Sequence, residues 1–277
     1  MRPREQIQPE LSVNLYLESM IRCLINEPYG DAEYSVTRLG GRIGKLVNRY
    51  LDSKGFRTIR KIGYDPQKRE LGQDWPPYAH TMIGRKRLEN VLDCAKQVIE
   101  NQIPGDFIET GVWRGGSTIF MRAILKAYNV QDKCVWVADS FEGLPPPNED
   151  LYPADKGDLH HTIDELKVTL DSVQDNFRRY ELLDNQVKFL KGWFKDTLPA
   201  APIEKLSLVR LDGDMYESTM DAMKNLYPKL STGGFLIVDD YCIETCRKAI
   251  SDYRTEHQID DEMIDIDGTG VFWQKSQ

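Results

Sequence analysis

Leu206-Ser207-Leu208-Val209-Arg210-Leu211-Asp212-Gly213-Asp214 and Phe235-Leu236-Ile237-Val238-Asp239-Asp240 are two apolar runs that each end in a pair of acids. Near-continuous apolarity marks a strand buried on both faces, as in a parallel sheet covered by helices. Open sheets of that kind bind ligands outside the carboxyl ends of their strands. The four aspartates therefore converge on one crevice, where like charges repel unless a hard cation or a shared proton compensates them. An extended strand end also sends Asp212 and Asp214, two residues apart, in similar directions. The pattern is that of a metal-using α/β enzyme.

Outward from these runs, strand and helix alternate. Phe107-Ile108 leads into a helix from Ser117 to Tyr128, Val135-Trp136-Val137-Ala138 precedes Asp139, and Val187-Lys188-Phe189-Leu190 precedes Gly192. This spacing predicts βαβ units and a parallel sheet. Leu88, Val91, Leu92, Ala95, Val98 and Ile99 fall at helical period over 87–101. Short strands around Met263-Ile264-Asp265-Ile266 and Val271-Phe272-Trp273 flank Gly268-Thr269-Gly270, a turn that sets the last strand antiparallel to its neighbour. Residues 142–163, with three consecutive prolines and many acids, form a long loop of the kind that serves as a mobile lid.

Upstream, Leu11, Leu15, Leu17, Met20, Ile21, Leu24 and Ile25 predict an amphipathic helix suited to covering a site or a partner subunit. Residues 40–80 are basic, then rich in Gly, Pro and aromatics, and are expected to be a connector with ordered turns. The expected division is an N-terminal helical extension and connector, 1–72, and a catalytic domain, 73–277. A chain of 277 residues suits one large core with such an extension.

The formal charge of −8, with a pI near 5.2, argues against nucleic-acid or anionic-lipid partners and for a small-molecule acceptor. Cys23, Cys94, Cys134, Cys242 and Cys246 form neither a CxxC pair nor an even framework and are expected to be free thiols. Met1-Arg2-Pro3-Arg4-Glu5 leads into no apolar leader, and no stretch approaches the roughly 18 apolar residues of a membrane span. A soluble, cytoplasmic protein is expected.

Three motifs carry chemistry. Asp106-Phe107-Ile108-Glu109-Thr110-Gly111-Val112-Trp113-Arg114-Gly115-Gly116-Ser117 puts glycines in the turn after the first strand of the alternation, where backbone approaches a ligand closely. It is not GxGxxG, and Glu109 would repel a diphosphate, so a dehydrogenase is a poor fit. That acid suits a cationic ligand, such as the amino group or sulfonium of S-adenosylmethionine. Asp139, followed by Ser140, stands where an acid accepts hydrogen bonds from ribose hydroxyls. Lys191-Gly192-Trp193-Phe194 offers close backbone approach and aromatic walls for an adenine. The strand-end acids supply only oxygens, which selects Mg²⁺, Mn²⁺ or Ca²⁺ over zinc. Among the four histidines no HxxxH or Ser/His/Asp array occurs, and His80 and the lid pair His160 and His161 are candidates for substrate contact.

The chain resembles the TylF/MycF family of S-adenosylmethionine-dependent sugar O-methyltransferases, the macrocin O-methyltransferase type. The resemblance is carried by Trp75-Pro76-Pro77-Tyr78-Ala79-His80-Thr81-Met82-Ile83-Gly84, Glu109 through Gly116, Ala138-Asp139-Ser140-Phe141-Glu142-Gly143-Leu144-Pro145, Gly192-Trp193-Phe194-Lys195-Asp196-Thr197-Leu198-Pro199, Leu211 through Tyr216 and Val238-Asp239-Asp240-Tyr241. It implies a Rossmann-like class I methyltransferase fold, a mostly parallel seven-stranded sheet with an antiparallel last strand. By that resemblance Thr81, Met82, Glu109, Gly111, Ser117, Asp139, Ser140, Gly192 and Trp193 line the S-adenosylmethionine site. Asp212, Asp239 and Asp240 would hold Mg²⁺ or Mn²⁺, Asp214 would be the general base, and His80 a further catalytic candidate. Catechol-type methyltransferases place a lysine after the first metal aspartate, whereas here Met215 follows Asp214 and the next lysine is Lys224. The implied acceptor is a hydroxyl of a sugar on a macrolide- or aminocoumarin-type product, acted on by a homo-oligomer. The alternatives are a catecholic or other vicinal-diol acceptor, and a non-catalytic nucleoside-binding protein on the same fold.

Overall fold

A computed structural model describes residues 9–276, and the charged start Met1 to Glu5 lies outside them. From the amino end, helix α1 (Pro9–Leu24) precedes a small unit of β1 (Tyr34–Thr37), α2 (Gly41–Ser53) and β2 (Thr58–Lys61), then short α3 (Pro66–Glu70) and long α4 (Gly84–Glu100). The alternation follows as β3 (Asp106–Thr110), α5 (Gly116–Ala127), β4 (Val135–Asp139), α6 (Leu170–Arg179), β5 (Val187–Lys191), α7 (Phe194–Thr197), β6 (Leu206–Leu211), α8 (Tyr216–Leu226), β7 (Leu230–Val238), α9 (Glu244–Glu256), β8 (Ile264–Asp265) and β9 (Val271–Gln274).

The seven main strands lie in the order β5-β4-β3-β6-β7-β9-β8. Pairing is parallel from β5 to β7, and β9 runs antiparallel to both of its neighbours. This is the sheet the resemblance implies. The order reverses between β3 and β6, which opens the ligand crevice at their carboxyl ends. Every residue of β6 is buried, and alternate side chains enter opposite layers. Leu208, Phe107, Phe235 and Ile237 pack under α4 and α5, while Val209, Leu211, Leu236 and Val238 pack under α8 and α9.

Two features of the amino-terminal part were not foreseen. Leu17, Met20, Ile21 and Leu24 of α1 are buried in the first apolar layer, where α1 packs on α5, so this helix belongs to the main core. Residues 34–61, which overlap the stretch 40–80 read as a connector, carry a two-stranded antiparallel sheet pairing Tyr34 with Lys61 and Val36 with Ile59. Four-residue strands, largely exposed, leave too short a stretch of alternation to distinguish from turns. The connector is pinned by Arg69, whose buried guanidinium bonds Glu33 and Asp74, each at 2.8 Å.

Candidate active site

Strand β6 stops at Leu211, and the chain turns at once, with Asp214 in the left-handed region at φ +56°. Asp212 and Asp214 are therefore not alternate side chains of one extended strand, contrary to the expectation, although both line one cavity. Instead Asp212 meets Asp239 and Asp240 from the end of β7, with carboxylate oxygens of the three within 4.8 Å of one another. Asp214 stands beside them. Its N–H donates to Oδ2 of Asp240 at 3.2 Å, and its carbonyl accepts from Thr245 Oγ1 at 2.9 Å.

Two arginines underlie the cluster. Arg210, fully buried in β6, pairs with Glu109 directly across on β3, with Asp212 at 2.9 Å, and with Asp239. The Arg210–Asp239 contact is an ion pair without hydrogen-bond alignment, since Nη2 and Oδ1 both lack an aligned partner. Arg87, from α4, pairs with Asp239 and with Asp267 at 3.1 Å. Glu109 thus faces Arg210 beneath the site, where burial raises its carboxyl to about 8 against the pull of the guanidinium. The charges that remain are crowded: burial, then Asp212, push the Asp214 carboxyl up to about 7. Burial and the neighbouring aspartates likewise raise Asp212 and Asp240. An all-oxygen set of converging carboxylates with surplus negative charge fits a hard divalent cation such as Mg²⁺ or Mn²⁺.

Beside the cluster, Gly111 (φ +81°) lets β3 and β6 approach so closely that a Cβ there would lie 1.7 Å from the Asp212 carbonyl oxygen. Across the turn, Asp139 Oδ2 accepts from Val112 N–H at 2.8 Å and Oδ1 from Phe141 N–H at 2.6 Å, which fixes the carboxylate. Met82, Gly111, Asp139, Ser140, Gly192 and Trp193 share with the four aspartates one cavity of about 390 Å³, in the range of small-molecule sites. The cradle of glycines, the anchored acid and the aromatic walls fit a nucleoside-bearing cofactor.

Thr81, Glu109 and Ser117 sit behind this lining. Glu109 Oε2 and Ser117 Oγ are buried without a hydrogen-bond partner, leaving unsatisfied polar capacity under the glycine turn. His80 does not reach the cavity. Its Nδ1 lies 2.7 Å from the Tyr180 hydroxyl, and burial, with Arg179 and Arg114, pushes it down to about 4, so it is a neutral structural imidazole.

The loop between β4 and α6 folds over the cavity and lines it with Gly143, Leu144, Pro145, His160 and Leu166. It is held by Asp155, fully buried, whose oxygens accept from Tyr216 N–H at 2.6 Å and Glu217 N–H at 2.9 Å. A carboxylate there caps α8 and meets the positive end of its dipole. Trp113 Nε1 holds the far end through the Glu165 carbonyl at 2.9 Å. Of these residues Arg210 was visible as a charge inside an apolar run, whereas Arg87 and Asp155 reach partners too distant in sequence to leave a local signal.

The strand order, the glycine turn with its strand-end acid and the adjoining carboxylates together define a methyltransferase of the class I α/β fold. The model of the macrocin-O-methyltransferase (TylF) family matches residues 13–275, and the chain belongs to that family of O-methyltransferases. It is 46% identical to the mycinamicin III 3''-O-methyltransferase of Micromonospora griseorubida, over 98% of this chain and 100% of that one. It is 55% identical to the demethyldecarbamoylnovobiocin O-methyltransferase of Streptomyces niveus, over 95% and 94%. The solved structure of the O-methyltransferase NovP superposes with a TM-score of 0.83 at 48% identity, covering 96% of this chain and all of that one.

Proposed function

We propose that this protein moves a methyl group from S-adenosylmethionine to a hydroxyl of a sugar carried by a natural product, with Mg²⁺ or Mn²⁺ at Asp212, Asp239 and Asp240. The observation that carries the reading is one cavity holding both the anchored Asp139 beside the glycine turn and four aspartates at the ends of β6 and β7. The sugar is supported by relatives whose names place their reactions on mycinamicin III and demethyldecarbamoylnovobiocin, and by one named for a rhamnosyl-tetracenomycin.

The donor supplies an activated methyl on a sulfonium, and the cation supplies charge compensation and a fixed point for acceptor oxygens. The protein's own groups do the rest. Asp139, held by two backbone N–H groups, keeps lone pairs for ribose hydroxyls. Asp214 takes the hydroxyl proton, since it lines the same cavity beside Asp212 and Asp240 and its backbone is fixed by Asp240 and Thr245. The docked loop screens the reacting atoms from water. Thr81, Glu109 and Ser117 belong to this site as its supporting layer. The experiment is Asp214→Asn, which should keep Mg²⁺ and S-adenosylmethionine binding while turnover falls ~10²–10⁴-fold, whereas Asp212→Asn should lose metal and activity together. Near wild-type turnover in Asp214→Asn would remove it as base.

A homo-oligomer in the cytoplasm is part of the proposal. Five free thiols suit a reducing compartment. The β1-α2-β2 unit leaves Ile43, Leu46, Tyr50, Phe56 and Ile59 more than half exposed, with Ile43, Leu46 and Tyr50 at helical spacing along α2. Its eight Lys and Arg between 38 and 61, against a single acid, complement the acidic remainder of a second copy. Sedimentation should find a dimer or larger that Leu46→Glu dissociates, and a monomeric wild type would end this part of the proposal.

A further inference from the structure

His160 reaches the cavity from the loop, and the way it is mounted is unlike that of any other histidine here. Its Nδ1 lies 2.7 Å from Oδ2 of Asp158, while its own backbone N–H donates to Oδ1 of the same carboxylate at 2.8 Å. Asp158 is shielded, its side chain 7% exposed. The Asp158 N–H in turn donates to the Asp155 carbonyl at 3.0 Å, and Asp155 is the buried cap at the start of α8. That helix begins two residues after Asp214. A short, fully bonded path therefore fixes the imidazole relative to Asp214 across one cavity. With Nδ1 engaged by a carboxylate, Nε2 is the ring atom left over, and among the described residues it has no hydrogen-bond partner.

We propose that His160 is the acceptor-binding residue contributed by the loop: Nε2 hydrogen-bonds a hydroxyl of the bound sugar beside Asp214, and Asp158 is the positioning residue that fixes the ring. This rests on the sugar-methyltransferase reading above. A hydroxyl both donates and accepts, so it pairs with Nε2 whether the ring is neutral or charged. His161 cannot substitute, since its Nδ1 is buried without a partner and it does not line the cavity.

The test uses the full chain with Mg²⁺ and two probes, demethyldecarbamoylnovobiocin and mycinamicin III. For whichever probe is methylated, His160→Ala should raise the acceptor KM on the order of 10-fold while the S-adenosylmethionine KM stays within about twofold. His160→Gln, which restores a hydrogen-bonding group, should recover most of the loss. In ¹⁵N-histidine spectra the resonance that disappears in His160→Gln should report a protonated Nδ1 in the wild type, and Asp158→Asn should shift it. An unchanged acceptor KM in folded His160→Ala overturns the proposal, as does a parallel rise in both KM values, which marks a purely structural role. If the wild type methylates neither probe, the sugar reading fails alone, and His160 is judged by calorimetric titration of the probes into enzyme loaded with S-adenosylhomocysteine and Mg²⁺. Equal affinities in wild type and His160→Ala then overturn it, and binding of neither probe by the wild type overturns both.

Discussion

Gly111→Ala is the substitution with the sharpest consequence for this site. The backbone there has φ +81°, and an alanine in that region costs roughly 1–2 kcal/mol whatever surrounds it. The new Cβ would also stand 1.7 Å from the Asp212 carbonyl oxygen and 2.8 Å from its carbon. Both contacts are to backbone, so β6 has to retreat from β3 by more than about 1 Å, an overpacking cost of ~1–3 kcal/mol. The total of about 2–5 kcal/mol lowers the melting temperature by roughly 4–9 °C in a chain of this length. Because the retreating residue is Asp212, the loss should extend to chemistry: an error of this size at a positioned ligand costs on the order of 10²-fold in rate. Gly268→Ala is the control, with φ +86° but nothing within 4 Å of the added Cβ. It should show the smaller conformational cost and keep full activity. Calorimetric melting and steady-state kinetics on both variants decide the matter. A Gly111→Ala enzyme that melts and turns over like its Gly268→Ala counterpart would refute the close approach of β3 and β6.

Asp139→Ala should weaken S-adenosylmethionine by about 1.5–3 kcal/mol through loss of a charge-assisted acceptor, and an unchanged dissociation constant in a titration would take Asp139 out of the cofactor site. Exhaustive chelation with EDTA should abolish turnover and Mg²⁺ restore it, while full activity with metal analysis showing none would reduce the aspartates to helix caps. His80 predicts a pH effect on stability rather than on catalysis: its folded pKa, about 4, lies below the ordinary 6.5, so the neutral form stabilises the fold above 6.5 and that contribution is lost as pH falls toward 4. His80→Phe should flatten the wild-type decline of melting temperature across that window and leave turnover within about threefold at neutral pH; a large activity loss without a stability change would return His80 to the chemistry.

The sheet was legible because β3, β4, β6 and β7 are buried on both faces, and burial on both faces leaves uninterrupted apolar runs in the sequence. The cavity followed from the same runs, since the residues after a parallel strand's carboxyl end are already known once the strand is placed. Gly192 and Trp193 were read from the segment after the third strand of the alternation and Met82 from the family resemblance, and all three line the cavity. What escaped was tertiary. His80 sits among motif residues and was read with them, but its side chain turns toward Tyr180, a hundred residues away in sequence. The β1-α2-β2 unit escaped because its strands bury too little to impose a pattern. The turn at Gly213-Asp214 could not be told from a continuing strand, since aspartate tolerates the left-handed region that glycine favours.

Arg210 changes the meaning of the acidic cluster more than any other unforeseen residue. From sequence, Glu109 faced a cationic ligand, and the aspartates faced a hard cation or a shared proton. In the fold, Glu109 is matched across the β3–β6 register by Arg210, and the same guanidinium pairs with Asp212 and Asp239. A fully buried cation cannot be released to water, so it draws the two carboxylates toward fixed positions whether or not anything else is bound. Arg87 does the same to Asp239 from α4. Asp240 and Asp214 have no such partner among the described residues, and burial and like charge raise their carboxyls along with that of Asp212. The charge of the site is therefore layered: an inner arginine layer orients Asp212 and Asp239, and under the function proposed above Asp240 completes the cation's ligand set while Asp214 takes the acceptor's proton. Two neighbouring acids on one strand end, Asp239 and Asp240, thus acquire different tasks from what lies beneath them.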